Sequence, residues 1–185
     1  MAKQRKFFEQ RKFLLDANIL IEAHKRYYGF DLCPGFWTAM ILQHKADRVF
    51  SIDRVKEELT PTQKRKSHDK LFRWTKQKAP KGFFKKTDAE AIAEQFGKII
   101  QWVENNPQYK IEAKAEFVKV ADGWLIACAK AEGMIVVTDE VYDNNIRKKV
   151  KIPNVCQQFG VEYINTFDML RELGVKFGLK KRKVT

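Results

Sequence analysis

Asp16 directly follows the apolar run Phe13-Leu14-Leu15, and the pair Asp139-Glu140 follows Met134-Ile135-Val136-Val137 with only Thr138 between. Such runs suit strands buried on both faces of a parallel sheet, and the crevice of such a sheet opens beyond the carboxyl ends of its strands. Asp122 stands near the start of the helical stretch ADGWLIACA, and Glu58 lies on a helix that follows another strand, so both can point toward the same end. Carboxylates gathered there repel and raise one another's pKa unless a divalent cation neutralises them. Donors that are all oxygen favour Mg²⁺ or Mn²⁺ over zinc. A cation held by Asp16, Glu58, Asp122 and one of Asp139 or Glu140 would bind a phosphodiester, lower the pKa of an attacking water and stabilise the leaving oxygen.

Taken singly, each acid has a simpler role open to it. Asp16 and Asp122 suit a helix cap or first turn, Glu58 beside Glu57 suits a solvated helix face, and Asp139-Glu140 suits a turn. Competing chemistries lack their residues: no GxSxG, Walker A or GxGxxG sequence occurs. His24, His44 and His68 are scattered, and Cys33, Cys128 and Cys156 show neither CxxC nor zinc spacing, so neither a disulfide framework nor a zinc site is expected.

The elements that must carry these acids follow from the pattern. Phe13–Leu15 reads as a strand turning into a helix at Asn18-Ile19-Leu20-Ile21, Phe36–Leu42 as a helix ending near His44-Lys45, and Arg48–Ile52 as a strand. Asp53 then caps a helix with Val55, Glu58 and Leu59, which Thr60-Pro61 stops. Residues 61–86 read as an inserted helix plus loop, broken at Pro80 and Gly82, with Phe72 and Trp74 assigned to the core rather than to base stacking. Thr87 and Glu90 suggest a capping box for a helix whose Ile92, Phe96, Ile99 and Val103 share one face. A further helical stretch runs from about Ile111 to Ala131, interrupted near Val120 and ended by Gly133. Residues 134–137 form a central strand, the third in this reading, Val161–Ile164 a last strand, and Thr166–Leu170 opens a closing helix that Gly174 ends. Strands separated by helices predict an α/β fold, a three-layer α/β/α sandwich on a mostly parallel sheet, with a basic helical insert.

Hydrophobic residues make up 44% of the chain, yet no segment approaches the ~18 consecutive apolar residues of a membrane span. The N-terminal MAKQRKFFEQRK leads into no apolar signal core, so a cytoplasmic protein is expected. The formal charge of +13 is unevenly placed: +4 on residues 1–12, +9 on 61–86 and +5 on 176–185, which leaves −5 on the rest. A mildly acidic body with three basic segments suits a polyanion partner. Lys64, Arg65, Lys66, Arg73, Lys180, Lys181 and Arg182 are the expected phosphate contacts.

LLDANILI at 14–21, VKEEL at 55–59, ADGWLIACA at 121–129 and VVTDE at 136–140 resemble, in order, the acidic motifs of the PIN-domain superfamily. The LLDANILIEAHKRYYGFDLCPGFW opening and the VKIPNVC segment resemble a prokaryotic PIN-like branch long catalogued as a domain of unknown function. The likeness implies a single PIN-like domain over residues 1–185, with its core at about 12–175, the basic insert at 61–86 and a basic tail at 176–185. It also implies Asp16, Glu58 and Asp122 as metal-site acids, with Glu140 as the fourth by T-x-D spacing, Asp139 as runner-up and Asp143 a distant third. Asn18 and Thr138 match supporting polar positions. The superfamily includes VapC-like toxins, so the resemblance implies a Mg²⁺- or Mn²⁺-dependent endoribonuclease for single-stranded RNA, the toxin of a type II pair with a cognate antitoxin protein, and open to homo-oligomer formation. The alternative is a nucleic-acid-binding or scaffold protein whose PIN-like site is weak or inactive. A haloacid-type phosphatase also places an acid after its first strand, but Asn18 stands where it would need a second aspartate.

Overall fold

Phe13, Leu14 and Leu15 are all fully buried, so β1 (Phe13–Leu15) has both faces covered and must lie inside a sheet. In the computed structural model, which describes residues 10–61 and 69–178, β1 is the middle strand of five. The others are β2 (Val49–Ile52), β3 (Phe84–Lys85), β4 (Ile135–Val137) and β5 (Tyr163–Ile164), all parallel in the order β3-β2-β1-β4-β5. Leu14 lies level with Phe50 on one side and Val136 on the other. The chain runs outward from β1 to β3 and then crosses back over β1 to β4, so the strand order reverses between β1 and β4. That switch point is where an open parallel sheet leaves a crevice at its carboxyl edge.

Helices on both faces complete the three-layer α/β/α sandwich. α1 (Ala17–Glu22) continues into a π-helical turn, Ala23–Tyr27, and is followed by α2 (Pro34–Lys45) and α3 (Asp53–Leu59). The insert forms α4 (Lys70–Arg73) and a second π-helical turn, Trp74–Lys78. Then come α5 (Glu90–Asn105), α6 (Ile111–Phe117), α7 (Asp122–Glu132), α8 (Ile152–Phe159) and α9 (Thr166–Glu172). Helix α5 buries Ile92, Ile99 and Val103, and lays Phe96 flat on Trp124 of α7 with ring centroids 3.8 Å apart. Gly133, at φ 64°, ends α7 in the left-handed region and turns the chain into β4. No helix of the described residues is long and apolar enough to cross a membrane.

Two expectations change and one holds in part. The insert supplies the edge strand β3, which makes the strand before Asp139-Glu140 the fourth and not the third; two residues at an edge carry no run or alternation to read. Of its aromatic residues, Trp74 lies in the core as expected, its ring 5.0 Å from Trp37 and 5.5 Å from the buried Phe83, whereas Phe72 is only half-buried. Thr87 does not cap α5, whose N-cap is Ala89. Its buried side chain is used elsewhere, because both its hydroxyl (2.8 Å) and its backbone N–H (3.1 Å) donate to Asp53. Asp53 in turn is the first residue of α3, and its carboxylate ties the end of the insert to that helix.

Asp53→Ala would strand two buried donors of Thr87, and should destabilise the fold by about 1–3 kcal/mol in urea unfolding. A change under about 0.5 kcal/mol, the size of an ordinary surface substitution, would show that this tie does not hold the insert.

Candidate active site

Asp16 is the residue at which β1 ends: its backbone N–H still bonds Val137 of β4 (3.1 Å), while its side chain turns into the crevice with 2% exposure. Burial first, and the Glu140 carboxylate second, raise its pKa to about 7; the backbone N–H groups of Asn18 and Ala17 pull only partway back. Thr138, just past β4 and equally buried, donates its hydroxyl to Asp16 Oδ2 at 3.3 Å and accepts the Glu140 backbone N–H on the same oxygen at 3.3 Å. The two strands at the switch point are thus joined through one hydroxyl.

Asp122 opens α7 and faces the same cleft. Burial, then the charges of Asp16 and Glu140, push its pKa to about 8, and Lys149 lowers it only in part. Its placement depends on Glu58, whose Oε1 accepts the Ala121 backbone N–H at 2.8 Å and so fixes the turn into α7. It also depends on Gly123, where a Cβ would stand 3.0 Å from Phe96 and 3.2 Å from Phe117. Any larger residue would force one of these rings to shift, and Phe117 lines the cleft. Asp16, Asn18, Glu58, Asp122 and Lys149 line that cleft, which measures about 160 Å³.

The two candidates for the fourth acid point in different directions. Asp139 accepts both the backbone N–H and the hydroxyl of Thr166 at 3.0 Å, which fixes the start of α9 and takes its carboxylate out of the cleft. Among the described residues its carboxylate is thus spent on the start of α9, away from the side chains that line the cleft. Glu140 shares the side of Thr138 and acts on both Asp16 and Asp122, although its own oxygens bond Lys149 and the Ile152 backbone N–H (2.9 Å). Asp143 holds the Asn145 N–H at 2.9 Å, within the loop between β4 and α8.

Lys149 is the residue that sequence reading missed. It lies in the run Arg147-Lys148-Lys149, where nothing in the pattern tells which cation turns inward. Partial burial works against its charge, but the hydrogen bond to Glu140 and the charges of Glu140, Asp122 and Asp16 outweigh it and raise its pKa. Of the expected phosphate contacts, Arg73 is exposed on α4, while Lys64, Arg65, Lys66, Lys180, Lys181 and Arg182 lie outside the described residues.

The donor chemistry of the cleft fits a hard divalent cation, since Asp16 and Asp122 are buried oxygen donors whose mutual repulsion one ion would relieve. Among the described residues, no group of three or more His, Cys, Asp or Glu side chains is already placed to hold a metal ion. Glu58 uses Oε1 for the Ala121 N–H and lines the cleft, whereas Glu140 is engaged through both oxygens.

Both aspartates have an ordinary pKa of 3.8 and titrate near 7 and 8 in the fold, so between these values the folded protein holds protons that the unfolded chain has lost. The contribution of these two aspartates to stability is therefore full below about pH 4 and is lost as pH rises to about 8. In chelator, thermal melts should show this decline, and Asp16→Asn should reduce it and raise Tm at about pH 8. A wild-type protein equally stable across that range would contradict an uncompensated acid cluster.

Residues 13–177 match the family described as a domain of unknown function (DUF4411), a span that includes the whole sheet and every acid of the cleft. No curated protein and no solved structure matches the chain. The chain belongs to the DUF4411 family.

Proposed function

We propose that this protein is a Mg²⁺- or Mn²⁺-dependent endoribonuclease of the PIN-like kind, acting on single-stranded RNA in the cytoplasm. One observation carries the reading: two buried aspartates, Asp16 at the end of β1 and Asp122 at the start of α7, share one cleft at the switch point of a parallel sheet with their pKa values raised. Asp16, Asp122 and Glu58 would hold the ion. Bound there, it would supply charge for the scissile phosphate and an acidified water. Thr138 keeps Asp16 oriented, Glu58 keeps α7 in place, and Glu140 anchors the loop that closes the cleft. The basic segments, Arg73 among them, would hold the RNA backbone.

The resemblance to VapC-like toxins supports a toxin of a type II pair, with a cognate antitoxin protein as partner and a homo-oligomer as assembly. A small cotranscribed reading frame with a helix-turn-helix pattern next to the gene would favour it, and an isolated gene would count against it. The second reading is a nucleic-acid-binding or scaffold protein with a weak or inactive site. It is favoured by Glu140, whose carboxylate is already neutralised by Lys149.

Cleavage of single-stranded RNA should need Mg²⁺ or Mn²⁺, stop in EDTA, and fall by roughly a hundredfold or more in a folded Asp16→Asn protein. Glu140→Gln should lower cleavage more than Asp139→Asn, whose main effect should be on thermal stability. Undiminished cleavage in chelator or in Asp16→Asn would exclude the mechanism, and RNA binding without any cleavage would favour the second reading. Charge reversal at Lys64, Arg65 and Lys66 should flatten the salt dependence of RNA affinity. An unchanged slope would take that segment out of the RNA contact.

A further inference from the structure

Lys149 is the one basic side chain among the described residues that line the acid cleft. Its ammonium bonds Glu140 Oε1 and shares the cleft with Asp16, Glu58 and Asp122. The backbone on either side is tied down. Glu140 Oε2 accepts the Ile152 N–H at 2.9 Å, Lys151 Nζ donates to Val141 O at 3.1 Å, and the side-chain amide of Asn154 donates to Asp143 O at 2.7 Å. Lys149 is therefore presented from a braced loop and is not one more solvated member of its charge run, while its four-carbon stem and half-exposed side chain let the ammonium withdraw.

We infer that Lys149 is a tethered counter-ion, an ammonium that occupies the acid cleft in competition with a divalent cation and so sets the concentration at which the ion loads. The inference rests on the metal site proposed above and concerns its regulation. Two positive charges drawn to the same carboxylates repel each other, and in a partly buried cleft that repulsion is screened far less than at the surface. The ion therefore enters only as the ammonium swings out, and the bond from Lys149 to Glu140 measures the closed state.

Mn²⁺ binding, read from the free-ion signal in electron paramagnetic resonance at low ionic strength, tests this without any assay of cleavage. Wild type, Lys149→Met, Lys149→Gln and Lys149→Arg are compared, each with and without Asp16→Asn. Lys149→Gln removes the charge but keeps a polar donor, and neither neutral variant removes a partner of the three bonds that brace the loop. Both neutral variants should bind Mn²⁺ roughly tenfold more tightly than wild type, with Lys149→Arg close to wild type and the gain lost in the Asp16→Asn background. Asp16-dependent binding in wild type that is unchanged or weakened in both neutral variants would overturn the counter-ion and leave the metal site standing. Binding that appears only when Lys149 is neutralised would support the inference most strongly. No Asp16-dependent binding in any variant would sink the metal site, and the counter-ion with it.

Discussion

A carboxylate is unstable in a protein interior unless something answers its charge, and this fold places one at the end of its most buried strand. Much of the surrounding architecture is a response to Asp16. The hydroxyl of Thr138 reaches it from the neighbouring strand, the N–H groups at the start of α1 face it, and Lys149 lies in the same cleft. None of these satisfies it fully, because Glu140, Asp122 and Glu58 add charge of the same sign. Such a concentration of like charge weakens a fold, and here it lies at the switch point of the sheet.

The sequence was informative where chemical contrast is sharp. An acid ending an all-apolar run has few ordinary explanations, so β1, β4 and Asp16 could be read directly. Glu58 and Asp122 became readable only as members of an ordered set. Less was legible where neighbours look alike. Lys149 and Lys148 are the same residue type side by side, yet it is Lys149 that bonds Glu140 and lines the cleft. Asp139 and Glu140 are neighbours whose carboxylates go to different helix starts, α9 and α8, which no local pattern distinguishes. Strand β3 and the tie between Thr87 and Asp53 depend on contacts across more than thirty positions, which local pattern does not encode.

Two of the acids hold backbone while keeping their charge near Asp16 and Asp122. One oxygen of Glu58 holds the turn before Asp122, and one oxygen of Glu140 holds the start of α8. Each is a structural contact that also aims a charge. Asp139 makes only the structural contact described, at the start of α9. Spacing alone could not separate these cases, because the same residue type at the same kind of position serves both ends.

Both outermost strands of the sheet, β3 and β5, are only two residues long, and β3 carries Lys85, paired with Glu132 at 3.0 Å. Among the described residues the sheet therefore offers almost no unpaired backbone onto which another strand could zip, and what it offers is guarded by charge. This makes runaway cross-sheet aggregation difficult despite a strongly apolar centre. It also means that association with another chain has to be written in side chains on the helical and loop surfaces, where Leu32, Tyr27 and Phe167 stand exposed, and not in a shared ladder of peptide groups.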